Sequence, residues 1–360
     1  MCGEDAMSEE QTVDELITTL RRAKEKKIDK IEEKLKNELG LAEETYQTEL
    51  EEIDKNLMNQ VDSLMNNHND ELGENVDYFQ RMLLELRGAA YHWDDEFWHN
   101  FSPGSDNDIA DCHRVGTLKI NGHFNQLETL ALVPVINGQN VIFLSSIEVR
   151  KQISQAFQSL ILRLIVTSPS GKIRLVPIDP LQDNSDIFSI FPTPNTETFN
   201  IEDNLSRISQ HLSLVRKAYL TEDCPTLVEV MNETGYYPVP HHILAVANFP
   251  HTFSEKSIRQ LMTIMQKGPS CGIHTIMLVD AEKLPELDLE GLDRQANVIS
   301  YEEDRFVFLN GMARSNPSSN DTFDYSNFDL ELDQLPRLSL IEELMKKTDN
   351  SVFDSFDFQS

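Results

Sequence analysis

The stretch from Asn140 to Asp179 restricts the fold more than any other part of the chain. Val141-Ile142-Phe143-Leu144 is a short apolar run with β-branched residues, which predicts a buried strand. From Arg150 to Val166 the apolar residues Ile153, Ala156, Phe157, Leu160, Ile161 and Leu164 return at three- and four-residue steps, the spacing of one helix face. Pro169, Ser170 and Gly171 stop that helix. Ile173 to Ile178 reads as a second buried strand, closed by Asp179-Pro180. Strand, crossover helix and strand in so short a space make a βαβ unit, whose two strands are parallel because the helix returns the chain to the starting edge. Parallel sheets of this kind bind ligands where the strands end. The turn after Leu144 is thus the place where a nucleotide phosphate would sit.

The residues of that turn are the wrong ones for a phosphate. A phosphate loop has glycine, four residues, glycine, lysine and then serine or threonine. The same register here reads Ser145, Ser146, Ile147, Glu148, Val149, Arg150, Lys151 and Gln152, of which only Lys151 agrees. Glycine is needed because positive φ lets successive N–H groups approach phosphate oxygens. Ile147 and Val149 are β-branched and resist that backbone. Glu148 places a carboxylate beside the polyphosphate, and Gln152 lacks the hydroxyl that would hold magnesium.

Ahead of this unit, residues 9–87 are charged and strongly helical in propensity. Their apolar positions run Val13, Ile17, Leu20, Lys24, Ile28, Ile31, Leu35, Leu39, Ala42, Tyr46, Leu50, Ile53, Leu57, Val61, Leu64, His68, Leu72, Asn75, Phe79, Leu83 and Leu86. The steps of four, three and four give a period of eleven residues, interrupted by polar side chains only at Lys24, His68 and Asn75. Such a repeat predicts a straight or slightly right-handed coiled coil. The alternative is one amphipathic helix packed along the body. Gly40 and Gly73 each cost about 1 kcal/mol of helix stability and mark candidate bends. His68 reads as a polar seam residue that specifies a partner.

Beyond the long helix, Trp93, Phe97, Trp98 and Phe101 read as an aromatic wedge between helix and body, and Pro103-Gly104 turns the chain. His92, His99, Cys112 and His113 match no zinc spacing, so no metal site is expected. Val115–Ile120 and Leu127–Val135 read as strands. After a loop-rich stretch to Asn200, helical spacing returns in Ile201–Tyr219 and Thr226–Thr234. Ile243–Ala247 reads as a third buried strand. Ser254 caps a helix through Gln266, with Ser257 where a capping box needs an acid, and Gly268 ends it. Cys271–Val279 reads as a fourth strand. Strands alternating with helices predict a doubly wound α/β domain. Leu338–Met345 reads as a short helix, and Phe353, Phe356 and Phe358 in the acidic tail read either as a docking peptide or as a frayed terminus.

Composition narrows the function. The chain has 360 residues, enough for one or two domains, and a formal net charge of −30. Direct DNA binding needs a basic face, and the one Lys/Arg-dense run, Arg21 to Lys36, is interleaved with acids. Cys2, Cys112, Cys224 and Cys271 are scattered without a CxxC pair, which suits a reducing cytosol. No apolar run is long enough to span a bilayer, and nothing ahead of the first helix reads as a secretory signal. The expectation is a cytoplasmic protein without membrane insertion.

Taken in order, several short motifs resemble the FtsK/SpoIIIE group of hexameric P-loop ATPases, which pump DNA or, in type VII secretion, protein. Ile178-Asp179-Pro180 stands where that group carries Ile-Asp-Pro, Ile243 to Phe249 where it carries the Walker B strand, and Cys271-Gly272-Ile273-His274 where it carries Ala-Gly-Ile-His. The chain is more similar still to the degenerate amino-terminal ATPase module of long FtsK-like bacterial proteins with a coiled-coil front. The matches there are Arg114 to Leu118, Leu160 to Leu164, Pro169 to Ile173, Asn248-Phe249-Pro250 with Phe253-Ser254, and Gly268 through Gly272, across about residues 91 to 280. The chain also departs from the group's pattern. A Walker B strand ends in Asp and Glu, which hold magnesium and orient the attacking water; here Asn248 and Phe249 stand there, and Asp280 lies near the place of the sensor glutamine.

The resemblance therefore implies the fold rather than the activity. It implies an α/β, doubly wound, mostly parallel P-loop NTPase-like sheet preceded by a long α-helical coiled coil. The layout is a coiled coil over 9–87, a degenerate FtsK-like ATPase domain over 88–310, a flexible linker over 311–328, and a short helix with an acidic aromatic tail over 329–360. Neither a catalytic residue nor a cofactor is expected, and Ser145, Arg150, Lys151 and Asn248 form a degenerate nucleotide site. The expected role is an assembly or regulatory subunit, self-associating through the coiled coil and partnering an intact FtsK-like ATPase. The alternative is a nucleotide-binding FtsK-like ATPase with a divergent phosphate loop, taking ATP and magnesium and moving DNA or protein.

Overall fold

The structure is a computed structural model and describes residues 4–102, 109–121, 126–136, 138–181, 187–192, 200–286, 296–309, 328–348 and 350–353. The chain forms two compact units, Met1–Gln80 and Arg81–Ser360.

The first unit is helical. Helix α1, Glu4–Leu86, holds 83 residues and continues through Gly40 and Gly73, so neither glycine ends it. A rise of 1.5 Å per residue makes it about 125 Å long. From residue 15 to residue 60 every side chain is exposed, the apolar seam included: Leu20 is 62% exposed, Leu35 60% and Ile53 61%.

In the second unit the strands are β1 (Cys112–Asn121), β2 (Gln126–Pro134), β3 (Asn140–Ser145), β4 (Ile173–Ile178), β5 (His241–Phe249), β6 (Ile273–Asp280), β7 (Ala296–Glu302), β8 (Arg305–Phe308) and β9 (Phe328–Leu332). They make one sheet in the order β2-β1-β9-β8-β7-β3-β6-β5-β4. Neighbours from β7 to β4 are parallel, whereas β8, β9, β1 and β2 are joined antiparallel. The expected βαβ unit is β3, helix α2 (Arg150–Thr167) and β4. From β3 the chain runs to the far edge at β4, works back through β5 and β6, and finishes on the other side of β3 with β7. This is a P-loop NTPase-like α/β sheet, and its switch point lies at the carboxyl end of β3.

Side chains alternate across the sheet. Val141, Phe143, Ala245 and Ile276 face α2 and α6 (Leu338–Lys347). Ile142, Leu244, Val246 and Met277 face α3 (Ile201–Tyr219), α4 (Leu227–Thr234) and α5 (Glu255–Lys267). Helices on both faces explain why β5 is buried at every position and reads as an unbroken apolar run. Helix α2 is buried on all sides beyond Ala156, more than its one apolar stripe predicts. Trp93, Trp98 and Phe101 cover its outer side, and Trp93 Nε1 donates to Ser159 Oγ at 2.7 Å.

Local signals set several ends. Ser254 Oγ accepts from Ser257 N at 3.2 Å at the start of α5, and Thr226 with Glu229 completes a capping box at α4. Cys271, expected to open the fourth strand, instead sits in a 3-10 turn; Gly272 at φ 73° turns the chain, and β6 begins at Ile273. A Cβ at Gly272 would lie 2.7 Å from Leu227 Cδ1, so both backbone and space require glycine there.

Three strands escape the sequence reading. β7 and β8 form a hairpin whose turn residues, Glu303 and Asp304, have φ of 49° and 62°. Such turns normally carry Asn or Gly, so this one gives no signal. β9 joins from more than 200 positions away in the chain, beside β1. The tail also differs from expectation: Val352 and Phe353 are buried in the core, so Phe353 is not free to dock a partner. Phe356, Phe358, Pro103-Gly104 and all of the 311–328 linker but Phe328 lie outside the described residues.

Candidate functional site

The carboxyl ends of β3, β4, β5 and β6 meet at the switch point. Only Ser146, Ile147, Glu148 and Val149 lie between β3 and α2. None of the residues from Ser145 to Val149 has positive φ. The alternation of right- and left-handed residues that aims successive N–H groups at one anion is therefore missing. Val149 takes the N-cap position without a side-chain cap and is 5% exposed, while Ile147, at 75% exposed, points outward.

The four sequence-predicted residues end up in different places. Ser145 is buried at the end of β3, in parallel register with Asp280. Arg150 opens α2 and its Nη2 donates to Asn248 Oδ1 at 2.9 Å. Lys151 and Gln152 are exposed on the first turn. Asn248 is 3% exposed and stands at φ 52°, where β5 slips out of register with β6. Such a bulge re-aims a side chain, and asparagine tolerates the left-handed backbone better than most residues.

Asn248 is the hub. Its Nδ2 donates to Asp179 Oδ1 at 2.9 Å, and the same oxygen accepts from Leu181 N at 3.1 Å. Arg150, Asn248 and Asp179 thus form one chain of hydrogen bonds across the ends of α2, β5 and β4. Beside it, His251 Nε2 and Asp280 Oδ2 lie 3.0 Å apart. Arg150 and Asn248 are visible from the sequence, whereas Asp179 is visible there only as part of Ile-Asp-Pro and His251 gives no signal of its own.

These residues do not fit a nucleoside triphosphate with magnesium. Arg150 is already paired, Glu148 adds a carboxylate at the turn, and no hydroxyl follows Lys151. Among the described residues no group of three or more His, Cys, Asp or Glu could hold a metal ion. His113 is fully buried, and neither of its ring nitrogens has a hydrogen-bond partner.

A second polar cluster lies on the outer side of α2. Asp333, just past β9, accepts from Arg114 Nε at 2.9 and 3.1 Å and from Arg163 Nη2 at 3.0 Å. Arg163 also donates to the carbonyls of Gly88 and Tyr91, and its guanidinium lies 4.2 Å from the Trp93 ring centre. Burial pulls the Arg163 pKa down to about 10, against the pull of Asp333, so it stays charged at neutral pH. The cluster is buried and closed, which makes it a fold lock rather than a site.

No protein-family model matches this chain, and no curated protein matches it. Among solved structures it is similar to EssC (ATPases 2 and 3) from Geobacillus thermodenitrificans, with TM-score 0.47 and 14% identity over 68% of this chain and 49% of that one. It is similar to Thermomonospora curvata EccC (ATPases 2 and 3) in complex with a signal sequence peptide, with TM-score 0.47 and 13% identity over 68% and 50%. The pCW3 conjugation coupling protein TcpA follows at TM-score 0.38 and 9% identity over 72% and 75%. The chain spans about half the length of the first two. Among the described residues no helix is long and apolar enough to cross a membrane.

Proposed function

We propose that this chain is a non-catalytic, FtsK/SpoIIIE-like pseudo-ATPase that acts in the cytoplasm as an assembly or regulatory subunit of an active FtsK-type motor. The observation that carries this reading is the hydrogen-bonded chain Arg150–Asn248–Asp179, which lies where phosphate and magnesium would bind, next to a turn without left-handed residues. Phosphoryl transfer depends on positioned charge and a bound metal, and Asn248 and Phe249 offer no carboxylate to hold one at the end of β5. The role requires no ATP and no magnesium. Helix α1, with its exposed eleven-residue seam, is the surface for coiled-coil self-association.

A second reading is supported by the start of α2, where Arg150 and Lys151 are exposed cations at a helix amino terminus, a place that attracts anions. Calorimetry with ATP and magnesium separates the two. The first reading expects no binding heat. Low-micromolar binding abolished by Lys151→Ala replaces it with a nucleotide-binding protein whose phosphate loop has diverged. Co-purification of the chain with an intact FtsK-type ATPase tests the partner, and two proteins that elute separately at micromolar concentration refute that assignment.

A further inference from the structure

The seam of α1 says where a second chain lies but not which way it runs; the charges along the helix do. We infer that two copies of α1 pair antiparallel, about a two-fold axis near Asn37. This rests on the self-association proposed above and adds its orientation and register.

Residues 21–36 hold eight Lys or Arg and four Asp or Glu, whereas residues 38–53 hold six Glu and neither Lys nor Arg. These blocks are equally long and mirror each other about Asn37. An antiparallel pair centred there lays the basic block of each copy along the acidic block of the other, twice over. The apolar layers close in the same register: Leu35 meets Leu39, Ile28 meets Tyr46, and Ile17 meets Leu57. All six are exposed on an unbroken helix, so a hairpin within one chain does not cover them.

Lys24 gives an independent argument. It is the one charged residue in the seam, and it is exposed. In a parallel pair in register it would face its own copy across the interface, an arrangement that costs free energy in a desolvated seam. In the antiparallel register it faces Leu50, whose chain neighbours are Glu49, Glu51 and Glu52. Its aliphatic stem then covers leucine while its ammonium reaches carboxylates. A staggered parallel arrangement can also set basic against acidic blocks, but it does not close and leaves each pair with unmatched ends. Two-fold pairing satisfies both blocks in a closed dimer.

Cysteine cross-linking of the full chain tests the register, in a Cys2→Ser background that keeps Cys112, Cys224 and Cys271. Light scattering first gives the mass. Ile28→Cys and Tyr46→Cys proteins are then oxidised singly and as a refolded mixture. The expected result is a two-chain mass, a disulfide-linked pair in the mixture, and only background linkage in either variant alone. A two-chain mass with linkage within one variant, or with none in any sample, overturns the antiparallel register and leaves self-association standing. A single-chain mass overturns both. Raising salt screens exposed charges, so the two-chain fraction should fall with salt; a rise would also count against charge-directed pairing.

Discussion

The two ends of α2 each carry an arginine, and the two have opposite environments. Arg150, in the first turn, is exposed and donates to Asn248. Arg163, near the last turn, is fully buried, donates to Asp333, Gly88 and Tyr91, and stacks on Trp93. The first occupies the place where this fold binds nucleotide; the second ties β9, β1 and the aromatic wedge to the core. The buried charge cluster therefore lies far from the carboxyl end of β3, where the rim carries the hydrogen-bonded chain Arg150–Asn248–Asp179.

The largest expected effect concerns pH. His113 lies beside Arg163, and burial together with that guanidinium pulls its pKa down to about 3. Burial pulls His211 and His241 down to about 4, and His242 and His274 well below their ordinary value. Each is neutral when folded and gains a proton when unfolded below about 6.5, so stability is full above that pH and falls as pH drops toward 4. The loss is roughly 1.4 kcal/mol per pH unit for each histidine. Denaturant midpoints measured from pH 7 to pH 5 should drop steeply; a flat profile would mean these rings are not buried neutral.

Next is the lock itself. Asp333→Asn leaves Arg114 and Arg163 buried without their carboxylate and should cost about 3–5 kcal/mol. Thermal melting should fall by on the order of 10 °C. An unchanged melt would erase the contrast between the two ends. Phe353→Ala removes a buried ring from the same core and should cost about 3 kcal/mol, where a free docking tail would cost nothing. At the other end, Arg150→Ala should cost about 1 kcal/mol or less; a loss as large as that of Asp333→Asn would make the rim part of the lock. The smallest expected change in body stability comes from Leu50→Asp with Leu57→Asp. These seam residues are exposed, so the melt should stay put while light scattering reports a lower mass. An unchanged mass with unchanged helicity would remove the coiled coil from the proposal.

Much of this was legible in the chain. The βαβ unit stood out because β3 and β4 are short apolar runs on either side of an eighteen-residue helix with regular spacing. β5 and β6 were legible for the same reason, since strands covered on both faces need no alternation. The missing glycines from Ser145 to Val149 and the uncharged Asn248 were legible because a phosphate loop has strict local requirements. The eleven-residue seam of α1 was legible because it is a local periodicity.

What only the tertiary structure decided is long-range. β9 pairs with β1 through contacts more than 200 residues apart; the alternation Phe328-Asp329-Leu330-Glu331-Leu332 marks a strand, but nothing local says which strand it joins. Arg163 reads as a polar interruption on an apolar helix until Asp333, Arg114 and Trp93 converge on it. Asn248 reads as a lost acid until the bulge in β5 turns its amide between Arg150 and Asp179. Sequence sets propensities over one or two turns of chain. Which buried charge finds which partner is fixed only when distant segments share one low-dielectric interior, where an unpaired group is too costly to leave.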